Sequence, residues 1–68
     1  MNDEALNVTT RQFLKRFGIT AQREIERAIR ARIEAGMLAG TETLPVRATL
    51  AMPGVLEEIE IAGEIALE

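Results

Sequence analysis

The chain has 68 residues, with eight basic and eleven acidic side chains and a net charge of −3. A chain this short forms one small domain that buries only about 60% of its unfolded surface, so its stability margin is thin. It contains no cysteine and no histidine, which excludes disulfide cross-links and most zinc sites.

Catalytic side chains are scarce as well. Serine, tyrosine and tryptophan are absent, and Lys15 is the only lysine. The usual general bases and nucleophiles are therefore missing, apart from carboxylates and threonines. The composition predicts a protein that is not an enzyme and needs no cofactor.

No targeting signal is visible in the sequence. No apolar run approaches the ~18 residues of a membrane-spanning helix. The acidic N-terminus, residues 1–7, lacks the basic-then-apolar order of a signal peptide. We therefore expect a cytoplasmic protein with no membrane partner.

Two helices are predicted in the first half of the chain. Thr9 and Gln12 have the spacing of a capping box, and Val8 and Phe13 that of a hydrophobic staple. Gly18 suits the left-handed residue that ends a helix.

The second helix is predicted to begin at Thr20, another favoured N-cap residue. Its end is left open, because Gly36 and Gly40 are both suitable stops. Its apolar residues recur at helical spacing; they are Ala21, Ile25, Ala28, Ile29 and Ile33.

The second half predicts a β-hairpin. Residues 44–52 and 55–67 alternate apolar and polar side chains with period two, and Pro53-Gly54 between them is a turn signal. The apolar side chains of both strands lie on the same face of the sheet only if the numbers of two paired residues add up to an odd number. A tight turn makes the numbers of paired residues sum to 107, which places Arg47 opposite Glu60. A wider loop makes them sum to 109.

The C-terminal end of the hairpin is predicted to lack a partner, because the first strand is exhausted near Leu44. An unpaired apolar edge favours association, and an isolated hairpin is marginal in water. We therefore expect a homodimer that pairs its last strands into a four-stranded sheet; the alternatives are a monomer with a frayed end, or another protein that adds a strand there. The residues predicted at the dimer edge are Ile61, Ile65 and Leu67.

Charge is divided unevenly along the chain. Residues 11–32 hold seven basic and two acidic side chains, a net charge of +5, while the remainder holds one basic and nine acidic, a net charge of −8. This segment is either a solvated face or a surface that binds an acidic partner. The predicted partner-facing residues are Arg23, Arg27 and Arg30.

Three other readings carry less weight. Two helices and a hairpin are typical of a winged helix-turn-helix, but Glu24 and Arg27 occupy positions that are buried in that motif, and an acidic wing repels phosphate. A weak nucleic-acid-binding role for the basic helices remains the alternative function.

Glu58, Glu60 and Glu64 share one strand face, where a hard cation is conceivable but a solvated face is favoured.

Several segments resemble a family of short bacterial proteins of unknown function. They are the run N-x-T-x-R-x-F-L-K-x-x-G-I-T-x-Q-R-E-I-E over residues 7–26, the run GTETLP over 40–45 and the ending GEIALE over 63–68. The resemblance covers nearly the whole chain and implies a stand-alone α+β domain. It implies no activity and no functional residue.

The sequence thus predicts one small α+β domain over residues 1–68, in the order helix, helix, strand, strand, that acts as a non-catalytic interaction or structural protein. The predicted elements are a flexible arm over 1–7, helices over 9–17 and 20–36, and strands over 44–52 and 55–67. The predicted core is Val8, Phe13, Leu14, Phe17, Ile25, Ile29, Ile33, Val46, Ala48, Leu50, Ile59 and Ile61.

Overall fold

A computed structural model describes all residues from 1 to 68. The fold is α+β, with one helix followed by an antiparallel hairpin: α1 spans Asp3–Glu34, β1 spans Thr43–Met52 and β2 spans Leu56–Ala66. The chain divides into a helical unit, Met1–Met37, and a hairpin unit, Leu38–Glu68.

The helix begins where a loose arm was expected. Asn2 is extended, and its side-chain oxygen accepts a hydrogen bond from the Ala5 N–H at 3.0 Å, which makes it the N-cap. Asp3 and Glu4 in the first turn oppose the positive end of the helix dipole. The prediction of an arm over 1–7 is wrong because Asn2 supplies a cap seven residues before Thr9.

The prediction of two helices is also wrong, because neither expected break occurs. Thr9 does not cap; its hydroxyl donates to the Ala5 carbonyl at 2.7 Å, within the continuous helix. Gly18 keeps a helical backbone and is not among the glycines with positive φ. A mid-helix glycine costs about 1 kcal/mol relative to alanine, less than interrupting several backbone hydrogen bonds and nucleating a second helix.

The C-terminus of α1 is a Schellman motif, and it selects Gly36 as the stop. Gly36 has φ 76°, the Gly36 N–H donates to Ile33 and the Met37 N–H donates to Arg32, at 3.0 and 2.8 Å. The two bonds satisfy carbonyl groups that the last turn of the helix would otherwise leave free.

Glu42 organises the loop that precedes β1. Its carboxylate accepts hydrogen bonds from the backbone N–H groups of Ala39, Gly40 and Thr41, at 2.8, 2.9 and 3.1 Å. These bonds favour the ionised form, and those from Ala39 and Gly40 do most to lower the pKa of Glu42 below its usual value. The loop is therefore held by a side chain that the sequence pattern did not single out.

The hairpin adopts the wider of the two predicted registers. Paired residue numbers sum to 109 from Thr43↔Ala66 to Leu50↔Ile59, and an irregularity follows between Leu50 and Met52. The connection is a type II turn, because the Val55 N–H donates to the Met52 carbonyl and Gly54 has φ 79°.

The wider register changes one predicted contact. Arg47 lies opposite Ala62 and not opposite Glu60. It still reaches Glu60 diagonally, with 3.5 Å between the Arg47 Nε and a Glu60 carboxylate oxygen.

The C-terminal end of β2 is paired within the hairpin, which corrects the expectation of a free tail. Ile65 lies opposite Leu44, and the Leu67 N–H donates to the Glu42 carbonyl at 2.9 Å. The wider turn shifts the register by two, and the ladder reaches back through Thr43 to Glu42. What remains unpaired is the outer edge of each strand, because the sheet has only two strands.

Within each unit by itself, none of the predicted core residues is buried. The alternation itself is confirmed. Apolar side chains of both strands share one face of the hairpin, and the polar side chains share the other.

Candidate interaction surfaces

The helix exposes much of its apolar surface. Phe13 and Phe17 stack one turn apart, with ring centroids 6.4 Å apart, yet they are 51% and 46% exposed. Leu6, Leu14 and Ile19 are each 52% exposed. We call the row of apolar residues spaced four apart the helix ridge; it consists of Phe13, Phe17, Ala21, Ile25, Ile29 and Ile33.

The three arginines predicted to face a partner lie on one side of α1. They line one shallow depression, whose other lining residues are Glu26, Ala31 and Glu34. The three arginines are Arg23, Arg27 and Arg30. They are spaced four and three residues apart, so successive turns of the helix bring them to the same face. We call them the arginine stripe.

Neighbouring glutamates partly neutralise the arginine stripe. Arg27 pairs with Glu24 at 3.6 Å, and Arg30 pairs with Glu26 at 3.9 Å. Arg23 forms no ion pair. Exposed pairs of this kind contribute about 0–1 kcal/mol each, so these glutamates hold the two arginine side chains only weakly.

The helix-turn-helix reading has no structural basis. That motif requires two helices at a steep angle across a turn, whereas α1 continues through Gly18 without interruption. The unit that would supply the wing, Leu38–Glu68, carries six acidic residues and one arginine.

Two of the residues predicted at the dimer edge, Ile61 and Ile65, lie on β2, and Leu67 directly follows the strand. Ile61 is 59% exposed, while Ile65 and Leu67 are half-buried beside the N-terminal end of β1. Their side chains belong to the apolar face of the hairpin, and their backbone groups point towards β1. The outer edge of β2 therefore presents backbone groups of the residues that alternate with them, which the sequence analysis did not place at that edge.

The acidic side chains of β2 do not assemble a metal site. No group of three acidic side chains lies close enough to hold an ion. Glu58, Glu60 and Glu64 alternate along the polar face, and Glu60 is engaged by Arg47.

Comparison with known proteins gives a family and no function. A family model, described as a family of unknown function (DUF6494), matches residues 1–68. The chain belongs to this family. No curated protein matches the chain, and no solved structure does. DUF6494 thus agrees with the family that the sequence segments indicated, and it attaches no activity to any residue.

Although α1 has 32 residues, no helix combines the length and apolar character that a membrane crossing requires.

Proposed function

We propose that the protein is a small, non-catalytic interaction protein that acts as a homodimer. The observation that carries the proposal is that no side chain in either unit is buried, although 47% of the residues are hydrophobic. Folding free energy comes mainly from burying apolar surface, at about 25 cal/mol per Å². A second copy is the commonest source of such burial for a small domain without disulfides or metals.

The hairpin supports the same proposal. A two-stranded hairpin alone is marginal in water, and three or more strands are needed for independent stability. Both outer edges of this sheet are unpaired. Pairing through β2, the strand that carries Ile61 and Ile65 and directly precedes Leu67, extends the sheet to four strands in the dimer.

The arginine stripe is proposed as the surface for a different, acidic protein partner. Helical spacing puts it on the side of α1 away from Ile25, and Arg23 is not engaged by any glutamate. The ion pairs of Arg27 and Arg30 favour a protein partner over nucleic acid, because the glutamates keep the local net charge low. A bacterial cytoplasm is the proposed setting.

A proline substitution tests whether β2 provides the dimer contact. Glu64 lies opposite Pro45, a position where the hairpin already accepts a residue that has no N–H. Replacing Glu64 with proline removes one outward N–H of β2 and leaves the bonds to β1 in place. We expect Glu64→Pro to shift the molar mass measured by light scattering from dimer to monomer.

The matched control is Thr49→Pro, which makes the same change on the outer edge of β1. We expect this variant to remain a dimer. If Glu64→Pro remains dimeric while circular dichroism shows an intact fold, the dimer contact lies elsewhere. A wild-type protein that is monomeric at all concentrations overturns the proposal of a homodimer.

A further inference from the structure

We infer that two copies pair their β2 strands antiparallel about a twofold axis at Gly63. The inference rests on the proposed homodimer and assigns its register. It follows from three features of the hairpin unit: which backbone groups point outward, where proline interrupts an edge, and how the glutamates of β2 are spaced.

The direction of the backbone groups is fixed by one hydrogen bond. The Leu67 N–H donates to the Glu42 carbonyl, so these two residues point into the ladder. Inward and outward residues alternate along an antiparallel pair. With paired numbers summing to 109, the outward N–H and C=O groups of β2 belong to Glu60, Ala62, Glu64 and Ala66.

The two edges are not equivalent. The corresponding outward residues of β1 are Thr43, Pro45, Arg47 and Thr49. Pro45 has no N–H and interrupts that edge. The edge of β2 is unbroken from Glu60 to Ala66, so β2 is the strand that can accept a complete partner strand.

The glutamates then restrict the register. A twofold axis at Ala62 places Glu60 opposite the partner's Glu64, and an axis at Glu64 places that residue opposite itself. An axis at Ile61 places Glu58 opposite the partner's Glu64. Like charges that lie directly opposite destabilise a strand pair, so these three registers are disfavoured.

An axis at Gly63 places no two glutamates of β2 opposite each other, and the one like-charged pair, Glu58 and the partner's Glu68, lies at the end of the seam, where Glu68 is beyond the strand. Glu60 then lies opposite the partner's Ala66, and Ala62 lies opposite the partner's Glu64. All four outward residues of each strand are paired, which gives roughly eight new backbone hydrogen bonds. An axis at Ile65 also separates the glutamates, but it leaves Glu60 outside the ladder.

The apolar face fits the same axis. Ile61, which is 59% exposed, comes opposite the partner's Ile65, and Ile59, which is 41% exposed, comes opposite the partner's Leu67. Two of the residues predicted at the dimer edge, Ile61 and Ile65, thus face each other across the seam.

Gly63 itself lies on the axis and faces its own copy. A single hairpin does not require glycine there, because the backbone φ is not positive and an added Cβ would approach Val46 Cγ1 only to 3.7 Å, an ordinary contact. In the dimer, glycine leaves room at the centre of the seam for the side chains of Ile61 and Ile65.

Cysteine cross-linking tests the axis directly, because the chain has no cysteine of its own. Residues facing each other at a non-hydrogen-bonded site have Cα atoms about 4.5 Å apart, within the range of a disulfide. We expect oxidised Gly63→Cys to run mainly as a covalent dimer. Val46→Cys is the control, because Val46 lies beside Gly63 in the hairpin but is two strands farther from its own copy; it should remain largely uncross-linked.

A second experiment does not depend on substituting the glycine. Chains carrying Ile61→Cys are mixed with chains carrying Ile65→Cys, and the mixture should give more disulfide-linked product than either chain alone. In addition, Ala66→Lys should tighten the dimer about threefold to tenfold, because each lysine faces the partner's Glu60 and lies opposite the uncharged Thr43 in its own hairpin, and Ala66→Glu should loosen it similarly.

The outcomes separate the register from the proposed function. A wild-type dimer in which Gly63→Cys cross-links no better than Val46→Cys, and in which the mixed isoleucine variants give no excess product, contradicts the Gly63 axis and leaves self-association standing. A wild-type monomer contradicts both. The β2 edge would then be free for a strand from another protein.

Discussion

The helical unit and the hairpin unit satisfy their backbone hydrogen bonds in opposite ways. In α1 every internal N–H bonds within the helix, and the two ends are closed by Asn2 and by the Schellman motif at Gly36. In the hairpin each strand is paired on one side only. The helix therefore needs a partner surface only to bury its apolar side chains. The hairpin also needs hydrogen-bond partners for the outward backbone groups of its strands.

This difference determines what each unit can specify about a partner. Apolar side chains such as Phe13 and Phe17 can be covered by any apolar surface of suitable shape, because the hydrophobic effect has no direction. The β2 edge fixes strand direction and register, since a slip of one residue exchanges the two faces. In the proposed homodimer, the β2 edge therefore specifies how the two chains pair.

The largest expected effect comes from breaking the helix at its midpoint. Proline at position 18 removes a backbone hydrogen bond and clashes with the preceding turn. Because α1 is continuous there, Gly18→Pro should destabilise the protein by about 3 kcal/mol or more, measured by urea unfolding. Asp3→Pro is the control, since proline is tolerated in the first helical turn. A small effect at position 18 would mean that the chain turns there.

The same glycine allows a change of opposite sign. Nothing lies within 4 Å of a Cβ added at Gly18, and its φ is not positive. Gly18→Ala should therefore stabilise the helix by roughly 0.8–1 kcal/mol, seen as a raised unfolding midpoint in urea. Ala28→Gly should lower stability by a similar amount. Destabilisation by alanine at position 18 would indicate that another backbone approaches the helix there.

Acidification should affect the hairpin unit through Glu42. Its lowered pKa means that the folded loop favours the carboxylate, so the stabilisation is fully present above the usual glutamate pKa of about 4.3 and is lost as the pH falls through the lower value of the folded state. Glu42→Gln should remove this pH dependence and lower the stability at neutral pH. Glu58→Gln, which alters a carboxylate without a hydrogen bond, should change neither. The measurement is urea unfolding between pH 7 and pH 3.

The smallest expected effect is at the arginine stripe. The Arg30–Glu26 pair is exposed, with 77% and 48% of the two side chains accessible, so Arg30→Gln should change the free energy of unfolding by less than about 0.5 kcal/mol. Replacement of all three arginines by glutamate should abolish binding of an acidic protein while the fold is retained. Binding of the unmodified protein to DNA or RNA at low salt, lost in that variant, would instead support a nucleic-acid role.

The hairpin could be predicted from the sequence, because its signals are redundant. Period-two alternation, the Pro53-Gly54 turn and the requirement for one apolar face restricted the register to two values, and the structure has one of them. The sequence could not distinguish the two registers, because the Pro53-Gly54 turn does not determine where the irregularity between Leu50 and Met52 occurs.

The helix was harder to predict, because its local signals are compatible with two outcomes. Thr9, Gly18 and Thr20 are good boundary residues, yet each is tolerated inside a helix when the alternative is to nucleate a second one. The true cap, Asn2, lies within a segment that reads as an acidic arm. The predicted core residues are not buried within either unit by itself, since a hydrophobic pattern shows which side chains favour burial but not which surface buries them.

The outward edge of β2 was missed for a reason of its own. Sequence reasoning selected Ile61, Ile65 and Leu67 from their apolar side chains. Only the phase of the ladder, set by the bond from Leu67 to Glu42, shows that the outward backbone groups belong to the residues that alternate with them.

The most direct test of self-association is the molar mass in solution, measured by light scattering over a dilution series. We expect a mass twice the 7.5 kDa of one chain, with dissociation only on strong dilution. A mass of 7.5 kDa at every concentration, from a protein whose circular dichroism shows an intact helix and hairpin, would contradict the homodimer.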